Sequence, residues 1–488
     1  MTAPVVVWFR NDLRLADNPA LSAAAQCGAP IVALYILDDV APGDWRMGAA
    51  SRWRLHQSLA SLTLDLAKLG VTLTLRRGPA DIVTEGVVAQ SGARAVYWNR
   101  LYEPWAMRRD GEIKSRLRGR GLSVESFNGA LLFEPSRLRT GKGEPFKVFT
   151  PFWRACLAAP PPAPPLPAPV KLCAAPALDS DALAAWRLLP TKPDWALGWD
   201  ALWRCGESAA HTQLAAFLAA RIGEYKVARD FMAQYGTSRL SAALHFGELS
   251  PRQVWHEVAA RAPETGAAFL REVGWREFCH HLLVVNPQLP EAPLDRSFDA
   301  FVWAQDDAAL KAWKQGRSGY PLVDAAMREL WTTGFMHNRA RMVVGSFLVK
   351  HLLLHWKEGE RWFWDTLVDA DLANNACGWQ WIAGCGADAA PYFRVFNPVL
   401  QGEKFDPDGA YVRRYVPELE ALDAKYIHRP WEAPDGVLRK AGLRLGETYP
   451  RPIVDHAKAR ARALAAYAAM RGALPTRQAA LAKSPGAG

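Results

Sequence analysis

At 488 residues the chain is long for one core, and two domains are the expectation. Half of its residues are apolar, which argues against extended disorder, and no apolar run reaches transmembrane length. A formal charge of +10 and a pI near 9.3 point to an acidic partner such as nucleic acid or an anionic surface. The seven cysteines show no CxxC and no paired metal spacing, and their odd number argues against a disulfide framework; a reducing cytoplasm fits best. The N-terminus enters VVVWFR with no signal-peptide pattern, so a soluble protein is expected.

Residues 1–135 alternate short β-rich runs with helical patterns. The runs are VVVWF (5–9), IVALYIL (31–37), VTLTL (71–75), AVYW (95–98) and SVESF (123–127), and the clearest helix between them spans 51–69. Continuous apolar strands separated by helices indicate an α/β, doubly wound parallel sheet of Rossmann-like type. No GxGxxG follows the first strand, so the dinucleotide fingerprint is absent. Ligands of such sheets sit at strand carboxyl ends, which here points to Asp38, Asp39, Asn99 and Arg100.

Residues 136–205 read as a connector, proline-rich at 158–181, where polyproline geometry is favoured and the chain is stiff enough to follow a surface. From 206 to 475 helical periodicity dominates, clearest at 211–225, 250–262, 269–285, 324–334 and 339–356. Ser250-Pro251 has the form of an N-cap followed by proline at the first helical position. Residues 476–488 read as a flexible tail.

Four segments of this half carry chemistry. GTSRLS (236–241) offers three hydroxyls and an arginine near a helix start, which suits a phosphate or diphosphate, although hydroxyls also cap helices with no ligand. LREVGWREFCHHL (270–282) sets Glu272, Trp275, Arg276 and Glu277 in an apolar helix; Glu272 and Arg276 have the spacing of an ordinary surface ion pair, and His280 and His281 lack partners at metal spacing. SGYPLVDAAMRELWTTGFMHNRARM (318–342) ends in His337, Asn338, Arg339, Arg341 and Met342, where arginines suit phosphate and an amide suits a ring edge.

The densest segment is 362–398, with Asp369, Asp371, Asn374, Asn375, Trp379, Gln380 and Trp381 close together. If it is helical, Asp371, Asn375 and Trp379 share a face. Carboxylate, amide and indole together suit a flat, nitrogen-rich heteroaromatic ligand, and equally a buried polar network with core tryptophans.

These segments resemble the photolyase/cryptochrome family. GTSRLSAALHFGELSPRQVW, WREFCHHL, GYPLVDAAMREL, MHNRARM, VDADLANNACGWQW, DAAPYFRVFNP and QGEKFD occur in the family's order and approximate spacing, after WFRNDLRLADNPAL at the start. LLPTKPDW and RPIVDHAKARARALAAY look most like class III bacterial cyclobutane pyrimidine dimer photolyases.

The resemblance implies an antenna-binding α/β domain and an all-helical C-terminal domain holding FAD, active as FADH−. Matched to the family, Tyr225, Thr237, Ser238, Arg239, Leu240, Ser241, Arg276, Asn338, Arg341, Phe363, Asp369 and Asp371 contact FAD. Asn375 takes the position facing flavin N5, where plant cryptochromes carry aspartate and animal cryptochromes cysteine. Glu272, Trp275, Met342 and Trp381 match contacts to a flipped-out thymine dimer, and Arg229, Arg339 and Arg394 match phosphate contacts. Met342 stands where (6-4) photolyases carry a second histidine, which favours cyclobutane dimers.

Trp379, Trp356 and Trp303 match the electron-relay tryptophans. The implied antenna is 5,10-methenyltetrahydrofolate, with Asp38, Asp39 and Glu103 as candidates, although Trp105-Ala106 replace an expected amide and acid; a deazaflavin or flavin is the alternative. The expected function is light-driven repair of pyrimidine dimers in UV-damaged DNA by a monomeric cytoplasmic enzyme without membrane association or metal. A signalling cryptochrome and a (6-4) photolyase are the rival readings. Cys377 and Cys385 receive no role.

Overall fold

The computed structural model describes residues 2–472. The tail expected from 476 onward lies outside them. The chain divides into two compact units: Met1–Lys226 with Thr237–Pro287 and Trp364–Asn374, and Val227–Gly236 with Gln288–Phe363 and Asn375–Gly488.

The first unit carries a five-stranded parallel sheet, β1 (Val5–Phe9), β2 (Ile31–Leu37), β3 (Leu73–Arg77), β4 (Ala95–Asn99) and β5 (Ser123–Phe127), in the order β3-β2-β1-β4-β5. Its strands are continuously apolar because both faces are covered. Val5, Val7, Phe9, Ile31, Ala33 and Tyr35 pack into one core, while Val6, Trp8, Val32, Leu34 and Ile36 pack into another. The third strand begins two residues later than its apolar run implies. Its ladder with β2 runs from Leu73 to Arg77, and as an edge strand it carries Arg76 and Arg77 within the pairing.

The proline-rich stretch lies along this sheet. Ile31 N donates to Cys173 O at 2.7 Å, Ala175 N to Ile31 O at 3.1 Å, and Asp181 N to Leu75 O at 2.8 Å. Leu172, Trp186 and Leu188 are buried in the core beside β2. Stiff extended backbone supplies exposed carbonyls and few competing donors, which suits it to run beside a strand.

Most expected helices form near their expected limits, including Ala49–Lys68, Ala267–Val285 and Pro321–Thr333. Pro251–Arg261 opens with a full capping box between Ser250 and Gln253. Two differ. The run expected over 211–225 is helical over Glu207–Ala220, where Arg221 N and Ile222 N both close on Phe217 O. The run expected as one helix over 339–356 is three pieces: Asn338–Ser346, a π-helical turn Phe347–His351, and a new helix from Trp356. The His351 carbonyl leaves the ladder for Arg462 Nη2 and the Leu353 carbonyl for Ala304 N, with Leu353 at φ 55°. Phe347 to Leu354 are all buried, so their apolar pattern runs through the break without marking it.

In the second unit buried carboxylates fix the turns. Asp324 accepts from Ser318 N and Oγ, Gly319 N and Tyr449 Oη, and Glu329 accepts from Tyr411 Oη and His337 N. Among the described residues no helix is long and apolar enough to cross a membrane.

Within the first unit, Gly247 joins the loop after β1 to the helix Ser241–His245. Its carbonyl accepts from Arg14 Nη1 at 2.9 Å, its φ is +64°, and an added Cβ would lie 2.1 Å from Asn11 O. Gly247→Ala is expected to lower stability by at least about 2 kcal/mol, from left-handed backbone strain plus a clash with main chain. The denaturation midpoint reads this out, and a wild-type midpoint would remove the close approach from the account.

Candidate functional site

In the first unit, Tyr225 is buried and meets Phe217 and Phe269 edge-on, with centroids at 5.6 and 5.3 Å. The hydroxyl run that follows has an irregular backbone: Arg239 sits at φ 53°, a left-handed conformation unusual for a residue with a side chain. Ser238 O accepts from Gln213 Nε2 at 2.7 Å, which anchors the turn. Thr237, Ser238 and Arg239 are half-buried and Ser241 is exposed, whereas the Leu240 side chain is in the core. Leu240 therefore has only main-chain groups to offer a ligand.

On the helix Ala267–Val285, Trp275 stacks on Phe149 at 3.8 Å with planes 7° apart, and the Arg271 guanidinium lies 4.8 Å from the same Phe149 ring. Phe149 thus fixes the plane of the indole. It lies in the stretch read as connector, and the aromatic density of VFTPFW (148–153) was its available signal. Arg276 Nη1 donates to Ala130 O at 2.8 Å and lies 3.6 Å from Glu277 Oε1. Glu277 is fully buried, takes the N–H groups of Leu132 and Phe133, and is pushed up to about 7 by burial. Glu272 is half-buried on the same helix.

Asp369 and Asp371 are both buried. Asp371 lies one residue before the helix Leu372–Ala383, and its Oδ1 accepts from Asn374 N at 2.9 Å, so it caps that helix. Asn375 and Trp379 share a helical face as their spacing implies; Asp371 precedes it. Asp371 Oδ2 faces His245 Nδ1 at 3.3 Å and His280 Nε2 at 3.4 Å. These two histidines had no assigned role from sequence, because nothing in the spacing of 245, 280 and 371 brings them together.

In the second unit, Asn375 Nδ2 donates to Glu360 O at 2.9 Å. A carbonyl only accepts, so this contact orients the amide and leaves Oδ1 as its principal free acceptor. Glu360 itself is fully buried, burial holding its carboxyl well above the usual range despite Lys357. Both its oxygens, and the Trp379 Nε1–H, have no hydrogen-bond partner among the described residues. Buried polar atoms of that kind are uncommon, and such unsatisfied groups suit a hydrogen-bonding guest.

Trp379 packs edge-on to Phe363 at 5.0 Å, and only a glycine fits beneath it: a Cβ on Gly359 would lie 2.0 Å from its Cη2. Trp356 is buried and Trp303 half-buried. His355 packs against both, 5.4 Å from Trp356 and 5.1 Å from Trp303, and is neutral at pH 7 because burial and then Lys357 and Arg361 push it down to about 4. Arg339 pairs with Asp230 at 2.5 Å and lies over Phe405, and Arg341 Nε donates to Met336 O at 2.8 Å. Asn338 and Arg394 are exposed; Arg229, Met342 and Trp381 are half-buried. Arg394 has its main-chain carbonyl held by buried Lys350 at 2.9 Å.

The carboxyl end of the sheet is largely occupied by protein. Asn99 bonds Asp12 and Asn18, Arg100 bonds Glu134, and Asp38 accepts from Val40 N, Ala41 N, Ala80 N and Arg109. Asp39, itself paired with Arg52 and Arg77, lines a cleft of about 430 Å³ with those two arginines and Arg46, Met47, Ala49 and Asp365.

Residues 5–170 match the family model described as DNA photolyase, and residues 269–469 that of the FAD binding domain of DNA photolyase. The chain is 52% identical over 475 residues to the deoxyribodipyrimidine photo-lyase of Agrobacterium fabrum, covering 96% of this chain and 98% of that one. It is 42% identical over 474 residues to cryptochrome-1 of Arabidopsis thaliana, covering 93% of this chain and 69% of that one. A solved bacterial class III photolyase from Agrobacterium tumefaciens shares the fold with a TM-score of 0.94 at 52% identity, over 97% of this chain and 98% of that one. The chain therefore belongs to the photolyase/cryptochrome family.

Proposed function

We propose that the chain is a light-driven deoxyribodipyrimidine photo-lyase acting on cyclobutane pyrimidine dimers in UV-damaged DNA. The observation that carries this reading is the Asn375 amide, pinned through Nδ2 so that Oδ1 is left to accept a hydrogen bond. An acceptor there favours the protonated N5 of a reduced flavin. When bound, reduced FAD supplies the photoexcited electron that splits the dimer and takes the electron back.

The protein's part is binding, orientation and exclusion of water. Tyr225, Thr237, Ser238, Arg239, Leu240 and Ser241 hold the phosphates and ribityl chain, with Arg276, Asn338, Arg341, Phe363, Asp369 and Asp371 as further FAD contacts. Glu272 hydrogen-bonds the dimer's carbonyl and N–H edge, and Trp275, Met342 and Trp381 form apolar walls against its rings. The stacking of Trp275 on Phe149 supports this role, since a fixed indole loses little freedom when a base stacks on it. Arg229, Arg339 and Arg394 meet DNA phosphates, in keeping with the net positive charge. Trp379, Trp356 and Trp303 carry electrons inward from the surface.

A methenyltetrahydrofolate antenna is part of the proposal. The cleft at Asp39 supports it: its volume suits a small heteroaromatic molecule, and although Asp39 pairs with Arg52 and Arg77, the lining's three arginines outnumber its two carboxylates, which suits an anionic tail. Heat release of the chromophores should then yield a folate spectrum besides that of FAD.

Blue light and chemically reduced protein should restore thymines in dimer-containing DNA. Dimers that persist under anaerobic illumination would overturn the reading. Glu272→Ala is expected to lower repair by about tenfold or more with FAD still bound, the scale of one lost hydrogen bond to a buried polar edge; full repair activity would remove the acid from the mechanism. Trp379→Phe should slow photoreduction of the oxidised protein while sparing repair by protein reduced with dithionite. Unchanged photoreduction would mean that electrons enter by another route.

A further inference from the structure

His280 is buried on the helix Ala267–Val285, and both of its ring nitrogens face acceptors. Nδ1 lies 2.9 Å from Arg276 O and Nε2 lies 3.4 Å from Asp371 Oδ2. A main-chain carbonyl accepts and never donates, and an ionised carboxylate does the same. Protons on both nitrogens satisfy both acceptors, and the ring is then an imidazolium. The alternative, a neutral ring facing a protonated Asp371, is disfavoured because Oδ2 also faces His245 Nδ1 at 3.3 Å, while Oδ1 takes Asn374 N and Nδ2 at 2.9 and 2.6 Å. A carboxyl offered that many donors is held ionised.

We propose that His280 is a positioning residue, whose charge keeps Asp371 ionised and oriented toward FAD and makes retention of the cofactor depend on pH. This rests on the reading of Asp371 as an FAD contact. Burial alone would raise the Asp371 carboxyl, yet the His280 charge and the hydrogen bonds from His245 and His280 hold it well below its usual range. Burial alone would lower the His280 ring, yet the Asp371 charge holds it above the ordinary histidine value, against the opposing charge of Arg276. With its folded value raised, the His280 charge is complete below about pH 6.5 and is lost as pH rises through the raised value. Above it, a lone pair on Nε2 would face Asp371 Oδ2.

The other titratable or charged groups around His280 are Arg276, Glu277 and His281 on its own helix and His245 beside the shared oxygen. The Arg276 guanidinium is turned to Ala130 O, and His281, pushed down to about 4, is neutral. The Glu277 carboxyl, pushed up to about 7 by burial, titrates inside the pH span of the test, so Glu277→Gln serves as the control.

The test is the dissociation constant of FAD, followed by its fluorescence on release, between about pH 6 and pH 9 for wild type, His280→Arg, His280→Gln and Glu277→Gln. Wild type and Glu277→Gln should bind about tenfold more weakly at the alkaline end, the change expected for about one unit of differential protonation. His280→Arg, which keeps its charge, should bind with little pH dependence, and His280→Gln should bind weakly throughout. A wild-type constant that does not change with pH would overturn the proposal even if a variant failed to fold, and so would a dependence abolished by Glu277→Gln. Repair of dimers with unchanged FAD retention would overturn the role of His280 and leave the photo-lyase reading standing. Failure to bind FAD at any pH would overturn both.

Discussion

A carboxylate taken out of water has to recover its hydration from the protein, and Asp371 does so with two histidines and the start of its own helix. The cap has a consequence beyond the charge. By ending the turn through Val368 and Asp369 and starting the helix at Leu372, it sets the phase of the turns that follow. Asn375 and Trp379 then fall one turn apart on the same face. The buried charge and the placing of the amide and indole are therefore one decision of the backbone.

Around the tryptophans of the second unit the interior is kept nearly free of fixed charge by a different means. His355 is pushed down to about 4 and His351 to about 3, chiefly by burial, and burial holds the Glu360 carboxyl well above its usual range, which favours the neutral acid. The Lys357 ammonium, 5.9 Å from the Trp356 ring, is balanced by Glu291 at 3.1 Å. An unbalanced cation beside an indole makes removal of an electron harder, by an amount that grows as the dielectric falls. The neutral imidazole of His355 packs against Trp356 and Trp303 without that penalty.

The sheet was legible because a parallel sheet buried on both faces leaves an unmistakable mark, five apolar runs separated by helices. The capping box at Ser250 and the long helix through Glu272 and Trp275 were legible for similarly local reasons. The π-helical turn at Phe347–His351 was not, since every residue across it is buried and periodicity carries no information where no face is exposed. The His245–Asp371–His280 cluster and the Phe149–Trp275 stack were also hidden, because each depends on residues more than a hundred positions apart. The motif resemblance pointed to Asp371 and Trp275 but not to the histidines and the phenylalanine that hold them in place.

The Asn375 contact shows why those supporting groups matter. Its Nδ2 donates to a main-chain carbonyl, an acceptor that substitution of the Glu360 side chain leaves in place. An aspartate at 375 would set a carboxylate oxygen against that carbonyl, acceptor against acceptor, and would be relieved only by taking up a proton or by turning away. A cysteine is too short to offer the same pair of contacts. The backbone at 360 therefore selects an amide at 375 on local grounds and leaves that amide an acceptor to offer.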